Sequence, residues 1–167
     1  MGKYFFLILS TVLISCNDGD LEIETINFDS ITTVQNCGTI NVTGTNVVFK
    51  INDDEALIIE LADGLIKNEV TETELESAVP GNTRVTYRIF SDNVSTAYFC
   101  DAVPPIEPVV TEEIEAQAGT VLVNTVAVDA ETFEHTIRLS GISFVMEDGS
   151  RITNLQINEF GKVTTKL

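Results

Sequence analysis

From Leu21 onward, apolar and polar residues alternate with a period of two along most of the chain, and turn-forming residues recur roughly every eight to twelve positions. Residues 83–90 show the pattern most clearly, because Val85, Tyr87 and Ile89 alternate with polar or charged residues. A period of two sends successive side chains to opposite faces of a β-strand. The pattern predicts an all-β fold: a single, mostly antiparallel β-sandwich, immunoglobulin-like in general architecture, with under about a tenth of the residues in helices.

Individual strands follow from the same alternation. They are predicted at residues 21–25, 31–35, 39–42, 47–51, 56–61, 83–90, 96–100, 109–116, 120–128, 132–139, 142–146 and 151–157. Gly141 is expected to mark a bulge, and the tail after Asn158 is expected to be frayed. Residues 63–82 carry four glutamates and end in Pro80-Gly81-Asn82. We expect a long connection there, with one short helical turn or an irregular edge strand.

Two connections carry further expectations. A four-residue turn at 52–55 should join two strands whose odd-numbered apolar residues share one face: Val47, Phe49, Ile51, Leu57, Ile59 and Leu61. The three carboxylates of this turn suit calcium by ligand type, but their spacing does not match the EF-hand pattern, which favours a solvated turn. Prolines at 104, 105 and 108 interrupt strand pairing, so residues 102–108 should form a crossover between the two sheets.

The beginning of the chain has the form of an export signal. Lys3 precedes 11 apolar or hydroxylated residues, 4–14, which end at Leu13-Ile14-Ser15-Cys16. A membrane-spanning helix or uncleaved anchor needs about 20 apolar residues, whereas 7 to 15 is usual for a signal peptide. The tetrapeptide resembles the lipobox of bacterial lipoproteins. The resemblance implies cleavage before Cys16, diacylglycerol on the Cys16 thiol, and acylation, as with palmitate, of the new amino group.

This resemblance divides the chain into a signal peptide at 1–15, a lipidated cysteine and acidic tether at 16–20, and a β-sandwich domain at 21–160. The tether, Asn17-Asp18-Gly19-Asp20, is similar to the export signal that sends Bacteroidetes-type lipoproteins to the outer face of the outer membrane; a plain solvated linker is the alternative. The expected location is therefore the outer membrane, with the protein held through its lipid on the periplasmic or the cell-surface face.

A second resemblance lies in the middle of the chain. Together with the lipobox, the stretch VTYRIFSDNVSTAYFCDAVPP at 85–105 resembles a group of small uncharacterised bacterial lipoproteins of the Bacteroidetes type. It implies a lipidated, β-rich envelope protein and brings no catalytic residue. Asp29-Ser30-Ile31 also resembles the acceptor motif for O-glycosylation in envelopes of this type, which makes Ser30 a candidate glycosylation site.

Cysteines and charge agree with export. If Cys16 carries lipid, Cys37 and Cys100 form an even pair that predicts one disulfide in an oxidising compartment, with two buried thiols as the alternative. The 26 acidic and 9 basic residues give a net charge of −17, and loss of Lys3 would leave 8 basic residues and −18. Such a charge excludes nucleic-acid partners, which bind through Lys and Arg.

Candidate catalytic groups are few. His135, the single histidine, alternates with Phe133 and Ile137 on the expected inner face, which favours a satisfied core histidine over a base or metal ligand. A triad with Ser140 or Ser143 stays open. Motifs for hydrolase elbows, zinc proteases, paired CxxC or phosphate loops are absent from the sequence.

These observations predict no catalytic residues, no metal site and no cofactor. The predicted function is a non-catalytic binding or structural module of the cell envelope, with an envelope protein or a glycan as partner. The alternative is an envelope hydrolase or a glycan-processing accessory protein, whose site would be built from carboxylates or His135.

Overall fold

A computed structural model describes residues 26, 28, 30–146, 149–153 and 159–167. The predicted signal peptide, Cys16 and the acidic tether lie outside the described residues. Within them the chain forms nine strands and one short helix: β1 Gln35–Asn36, β2 Asn46–Asn52, β3 Glu55–Leu61, β4 Leu75–Ala78, β5 Arg84–Phe90, α1 Thr96–Cys100, β6 Val110–Ala127, β7 Thr132–Val145, β8 Arg151–Thr153 and β9 Glu159–Lys166.

The strands pair in the order β1-β2-β3-β5-β6-β7-β8, with β4 added to β6 and β9 added to β7. Every pairing is antiparallel. Strand β6 belongs to both layers of the fold, because its first part pairs with β5 and its second part pairs with β4. The predicted all-β, antiparallel fold is confirmed, and its arrangement is consistent with a β-sandwich.

The bend in β6 depends on glycine. Two register shifts between β6 and β7 lie between Ala116 and Thr120, and the second of them is at Gly119, whose φ is +131°. A Cβ atom there would lie 2.9 Å from the Cα and 3.0 Å from the nitrogen of Ile142. Only glycine allows the two strands to approach so closely at this angle. On the partner strand, Gly141 has a φ of +62° beside one of the shifts, which confirms the predicted bulge.

The main core lies between the two layers. One layer supplies inner-face residues such as Leu57 and Val85, and the other supplies residues such as Val123 and Ile137, all at most 1% exposed. Tyr87 of β5 and Phe144 of β7 meet across the core, with ring centroids 6.1 Å apart. The fold therefore buries one face of each layer, as the alternating pattern predicts.

The face predicted for β2 in the β2–β3 hairpin is wrong. Asn52 pairs with Glu55, so the turn contains only Asp53 and Asp54. Asp53 adopts a φ of 53°, a conformation that Asp tolerates better than most residues and that permits this shorter turn. The shorter turn leaves the register unchanged, since Ile51 still pairs with Ala56, and this register places even-numbered residues of β2 opposite odd-numbered residues of β3. Val48 therefore lies opposite Ile59 on the core face, and Phe49 points to the outer face.

Other strand predictions also need correction. Residues 96–100 form the helix α1 and not a strand. Of the predicted strands 31–35 and 39–42, only Gln35 lies in a strand, the two-residue β1 Gln35–Asn36. The predicted strands at 109–116 and 120–128 are one continuous strand, β6, because Gly119 bends the chain without breaking it. Residues 102–108 connect β5 with its neighbour β6 in one layer, and β6 itself crosses between the layers.

The end of the chain is the last correction. The predicted frayed tail forms β9, which pairs with β7 over Glu159–Lys166 and so extends the domain beyond residue 160. Phe160 and Val163 of this strand are buried in the core. Their burial keeps the strand in place, and the alternation of Val163 and Thr165 with lysines could have predicted it.

Candidate functional site

One end of the molecule is held together by a disulfide. Cys37 follows β1 and Cys100 ends α1, and the two form a disulfide with a Cα–Cα distance of 5.2 Å. The predicted pairing is confirmed, and the alternative of two free thiols is wrong. The bond closes a sequence separation of 63 residues. For a loop of this length the chain-entropy model gives roughly 4 kcal/mol of stabilisation.

Beside the disulfide, aromatic rings form a second, smaller core on the outer face of the sheet. The Phe49 ring of β2 stacks on Phe99 of α1 with centroids 4.4 Å apart. Phe90 of β5 meets Tyr98 edge-on at 4.9 Å. Both neighbours in sequence, Tyr98 and Phe99, thus contact the same cluster, which a helical turn permits and an extended strand does not. This packing explains why residues 96–100 are helical.

A proline-rich loop, residues 101–109, leaves this cluster and leads into β6. We call it the proline loop. At its far end the Ser91 nitrogen donates to the Val109 carbonyl at 2.9 Å, and the Val109 nitrogen donates to Ser91 Oγ at 3.1 Å. Between the two attachments, Val103 is 83% exposed and Ile106 is 90% exposed. The loop thus projects two aliphatic side chains into solvent from a base fixed on both sides.

The surroundings of the proline loop are acidic. Residues 91–115 contain six carboxylates and no lysine or arginine. The nearest arginines in sequence lie on β5 and already have acidic partners: Arg88 Nε donates to Glu113 Oε2 at 2.6 Å, and Arg84 Nε donates to Glu60 Oε2 at 2.7 Å. Sequence reasoning missed this site because it treated the prolines only as a connection. Two aliphatic residues among the prolines were the available signal.

The candidate catalytic residue His135 is fully buried inside the core. Its Nδ1 lies 2.8 Å from Thr125 Oγ1, and its Nε2 lies 2.7 Å from Thr165 Oγ1. The Thr165 hydroxyl in turn donates to Asn68 Oδ1 at 2.5 Å. Burial lowers the pKa of His135 from its ordinary value of 6.5, so the neutral ring is favoured.

The hydrogen-bond directions follow from this chain. Because the Thr165 hydroxyl gives its proton to Asn68, it must accept from the Nε2–H of His135, and Nδ1 then accepts from the Thr125 hydroxyl. The open triad with serine is not formed, since both ring nitrogens bond to threonines. Ser140 is exposed on the other face of β7. The prediction of a satisfied core histidine is confirmed.

One of the three acidic side chains at the turn of the β2–β3 hairpin, Glu55, is hydrogen-bonded to a neighbouring strand. Glu55 Oε1 accepts a hydrogen bond from the Tyr87 hydroxyl at 2.5 Å. The backbone carbonyls of Asp53 and Asp54 accept from the nitrogens of Val94 and Phe90, which ties the turn to the segment before α1. Across the described part of the chain, no three histidine, cysteine or acidic residues are placed to hold a metal ion.

Ser30 lies exposed in a turn, which the Ile31 nitrogen closes by donating to the Phe28 carbonyl at 3.1 Å. The turn leaves its hydroxyl accessible, and Ser30 stays a candidate glycosylation site.

Among the described residues, no helix has both the length and the apolar character needed to cross a membrane. Comparison with protein-family models, with curated proteins and with solved structures gives no match for this chain.

Proposed function

We propose that this chain is a lipid-anchored lipoprotein of the bacterial outer membrane whose β-sandwich acts as a non-catalytic binding module. The lipobox-like residues 13–16 support the anchor, and the acidic tether supports export. The Cys37–Cys100 disulfide agrees with an oxidising, extracytoplasmic compartment. Palmitate or a similar acyl chain on Cys16 would join the diacylglycerol, and two or more chains suffice for stable membrane attachment.

The observation that carries a binding function, rather than hydrolysis, is the position of His135. A general base must reach the proton that it removes, within hydrogen-bond distance or through one water. His135 has no exposed surface, and both ring nitrogens bond to threonine hydroxyls of neighbouring strands. Its role is to join β6, β7 and β9 inside the core.

Four of the carboxylates that could replace a histidine form ion pairs with basic residues in the described part of the chain. Glu74 accepts from Arg138 at 3.0 Å, and Glu134 accepts from Lys162 at 2.8 Å. The Glu134–Lys162 pair links the neighbouring strands β7 and β9, and the pairs formed by Arg84 and Arg88 also link neighbouring strands, whereas Glu74 belongs to the segment before β4. These carboxylates therefore form surface ion pairs, which contribute modestly to stability.

Turnover by the purified full chain tests the non-catalytic function. We expect no hydrolysis of a panel of glycosidic, ester and peptide substrates above a buffer control. His135→Ala is the diagnostic variant, with Thr125→Val as the matched control because it removes one histidine partner and keeps the ring. Reproducible turnover by the wild-type chain would contradict the proposal, and its loss in His135→Ala but not in Thr125→Val would assign the activity to the histidine.

A further inference from the structure

We propose that the proline loop is the docking element of this module, and that it inserts into an apolar pocket, rimmed by basic residues, on a partner protein. The inference rests on the proposed function, because it identifies the surface through which a binding module would act. Its three supports are independent: exposed aliphatic side chains, a rigid base and the charge around them.

The first support is the exposure of aliphatic side chains within a few residues of one another. Val103 and Ile106 expose 83% and 90% of their surface, and Val109 at the end of the loop exposes 48%. Single exposed apolar residues are ordinary on protein surfaces, but several within one short loop indicate an interaction site. Transfer of these side chains into an apolar pocket is favourable in proportion to the area removed from water.

The second support is rigidity. Pro104, Pro105 and Pro108 restrict the backbone of the loop in the free protein. At one base of the loop, the Cys37–Cys100 disulfide and the stacked Phe49–Phe99 rings hold α1. At the other base, Ser91 and Val109 are joined by two hydrogen bonds. A loop that is already ordered loses little conformational entropy on binding, which favours affinity.

The third support is charge, which specifies the partner. Asp101 and Glu107 are exposed within the loop, and Glu112 follows at the start of β6. With no lysine or arginine in residues 91–115, the loop carries a negative rim around its aliphatic residues. Complementary potential favours a protein pocket with a basic rim. The same charges oppose insertion into a membrane of anionic lipids, which attracts basic segments.

The test begins with site-specific crosslinking in the full chain on intact cells. The photoreactive amino acid p-benzoylphenylalanine replaces Ile106, and in a matched control it replaces Val128, which is 59% exposed beyond the opposite end of β6. We expect one protein to crosslink from position 106 and not from 128. Equal crosslinking from both positions, or none from 106, would overturn the docking loop while leaving the proposed anchored module in place.

The captured protein is then purified, and its Kd for the full chain is measured by calorimetry at two salt concentrations. Val103→Ser/Ile106→Ser should raise Kd by about tenfold or more, as loss of central apolar contacts does. Val126→Ser/Val128→Ser should leave Kd unchanged. Added salt should weaken wild-type binding, because it screens the attraction between the acidic residues of the loop and the basic rim of the pocket. An unchanged Kd in the loop variant would overturn the proposal, and so would a Kd insensitive to salt.

Vesicles test the membrane as the other occupant. A chain that begins at Asn17, which lacks both the proposed signal peptide and the lipidated cysteine and keeps every described residue, is sedimented with vesicles of phosphatidylcholine and phosphatidylglycerol. We expect no binding. Sedimentation that depends on Ile106 would show a membrane-inserting loop and overturn a protein partner. Circular dichroism of each loop variant should match the wild type, because the substituted side chains lie in solvent.

Discussion

His135 joins two neighbouring strands and a connecting segment through a chain of hydrogen bonds inside the core. Its alternation with apolar neighbours predicts an inner position, and the structure places it there. The threonines that satisfy it come from β6 and β9, and Asn68 comes from the connection between β3 and β4. No local pattern identifies these partners, because they meet only when three strands and a loop are assembled.

Burial of neutral His135 predicts a pH-dependent stability. The pKa of the folded state is lowered, so the unfolded chain binds a proton more readily than the folded chain below pH 6.5. The histidine therefore contributes its full stability above pH 6.5 and loses it progressively as pH falls toward the lowered folded value. Urea unfolding at several pH values between about 8 and 5 measures this dependence.

The control for this prediction is His135→Gln, which keeps a polar side chain and removes the titration. The wild type should lose more free energy of unfolding than the variant over the same pH interval. Carboxylates titrate in both proteins, so the difference between the two curves isolates His135. Identical pH dependence in the two proteins would contradict the buried neutral ring.

At the scale of elements, alternation predicted which segments extend but not how they join. The hairpin prediction had the two strands right and the shared face wrong, because the observed register places even-numbered residues of β2, not odd-numbered ones, opposite the odd-numbered residues of β3. The helix at Thr96–Cys100 was missed because its cause is tertiary: Tyr98 and Phe99 cover Phe49 and Phe90. The disulfide was predictable by counting cysteines, whereas the exposure of the proline loop depends on where its two ends attach.

The bend in β6 gives a prediction for one element. Gly119→Ala should destabilise the protein by about 1–3 kcal/mol from its backbone conformation alone, and the approach of the new Cβ to Ile142 should add to that cost. Gly44→Ala is the matched control, because Gly44 also has a positive φ, +86°, but nothing lies within 4 Å of the added Cβ. Denaturant unfolding compares the two variants.

A larger loss of stability is expected for Gly119→Ala than for Gly44→Ala. Equal losses would show that the contact between β6 and β7 adjusts freely, and the close approach would then have no role in the bend. A smaller loss for Gly119→Ala would contradict the account of this element.

At the scale of the whole molecule, β6 connects the two layers, which share one core, and the disulfide and aromatic cluster fix the end that presents the proline loop. This arrangement leaves the start of the chain, before Ile26, as the predicted attachment to the membrane. The fold class followed from the sequence, since alternation acts locally along each strand. The partner surface did not, since its exposure is a property of the assembled protein.

The most direct test of the lipid-anchored module is the intact mass of the mature protein purified from bacterial membranes. We predict a polypeptide that begins at Cys16 and carries diacylglycerol and an acyl chain, while Cys16→Ala accumulates as an unlipidated precursor that retains residues 1–15. The double variant Cys37→Ser/Cys100→Ser controls for general loss of cysteine and should still be lipidated. A mature wild-type chain that retains residues 1–15, or that has an unmodified Cys16 thiol, would contradict the account.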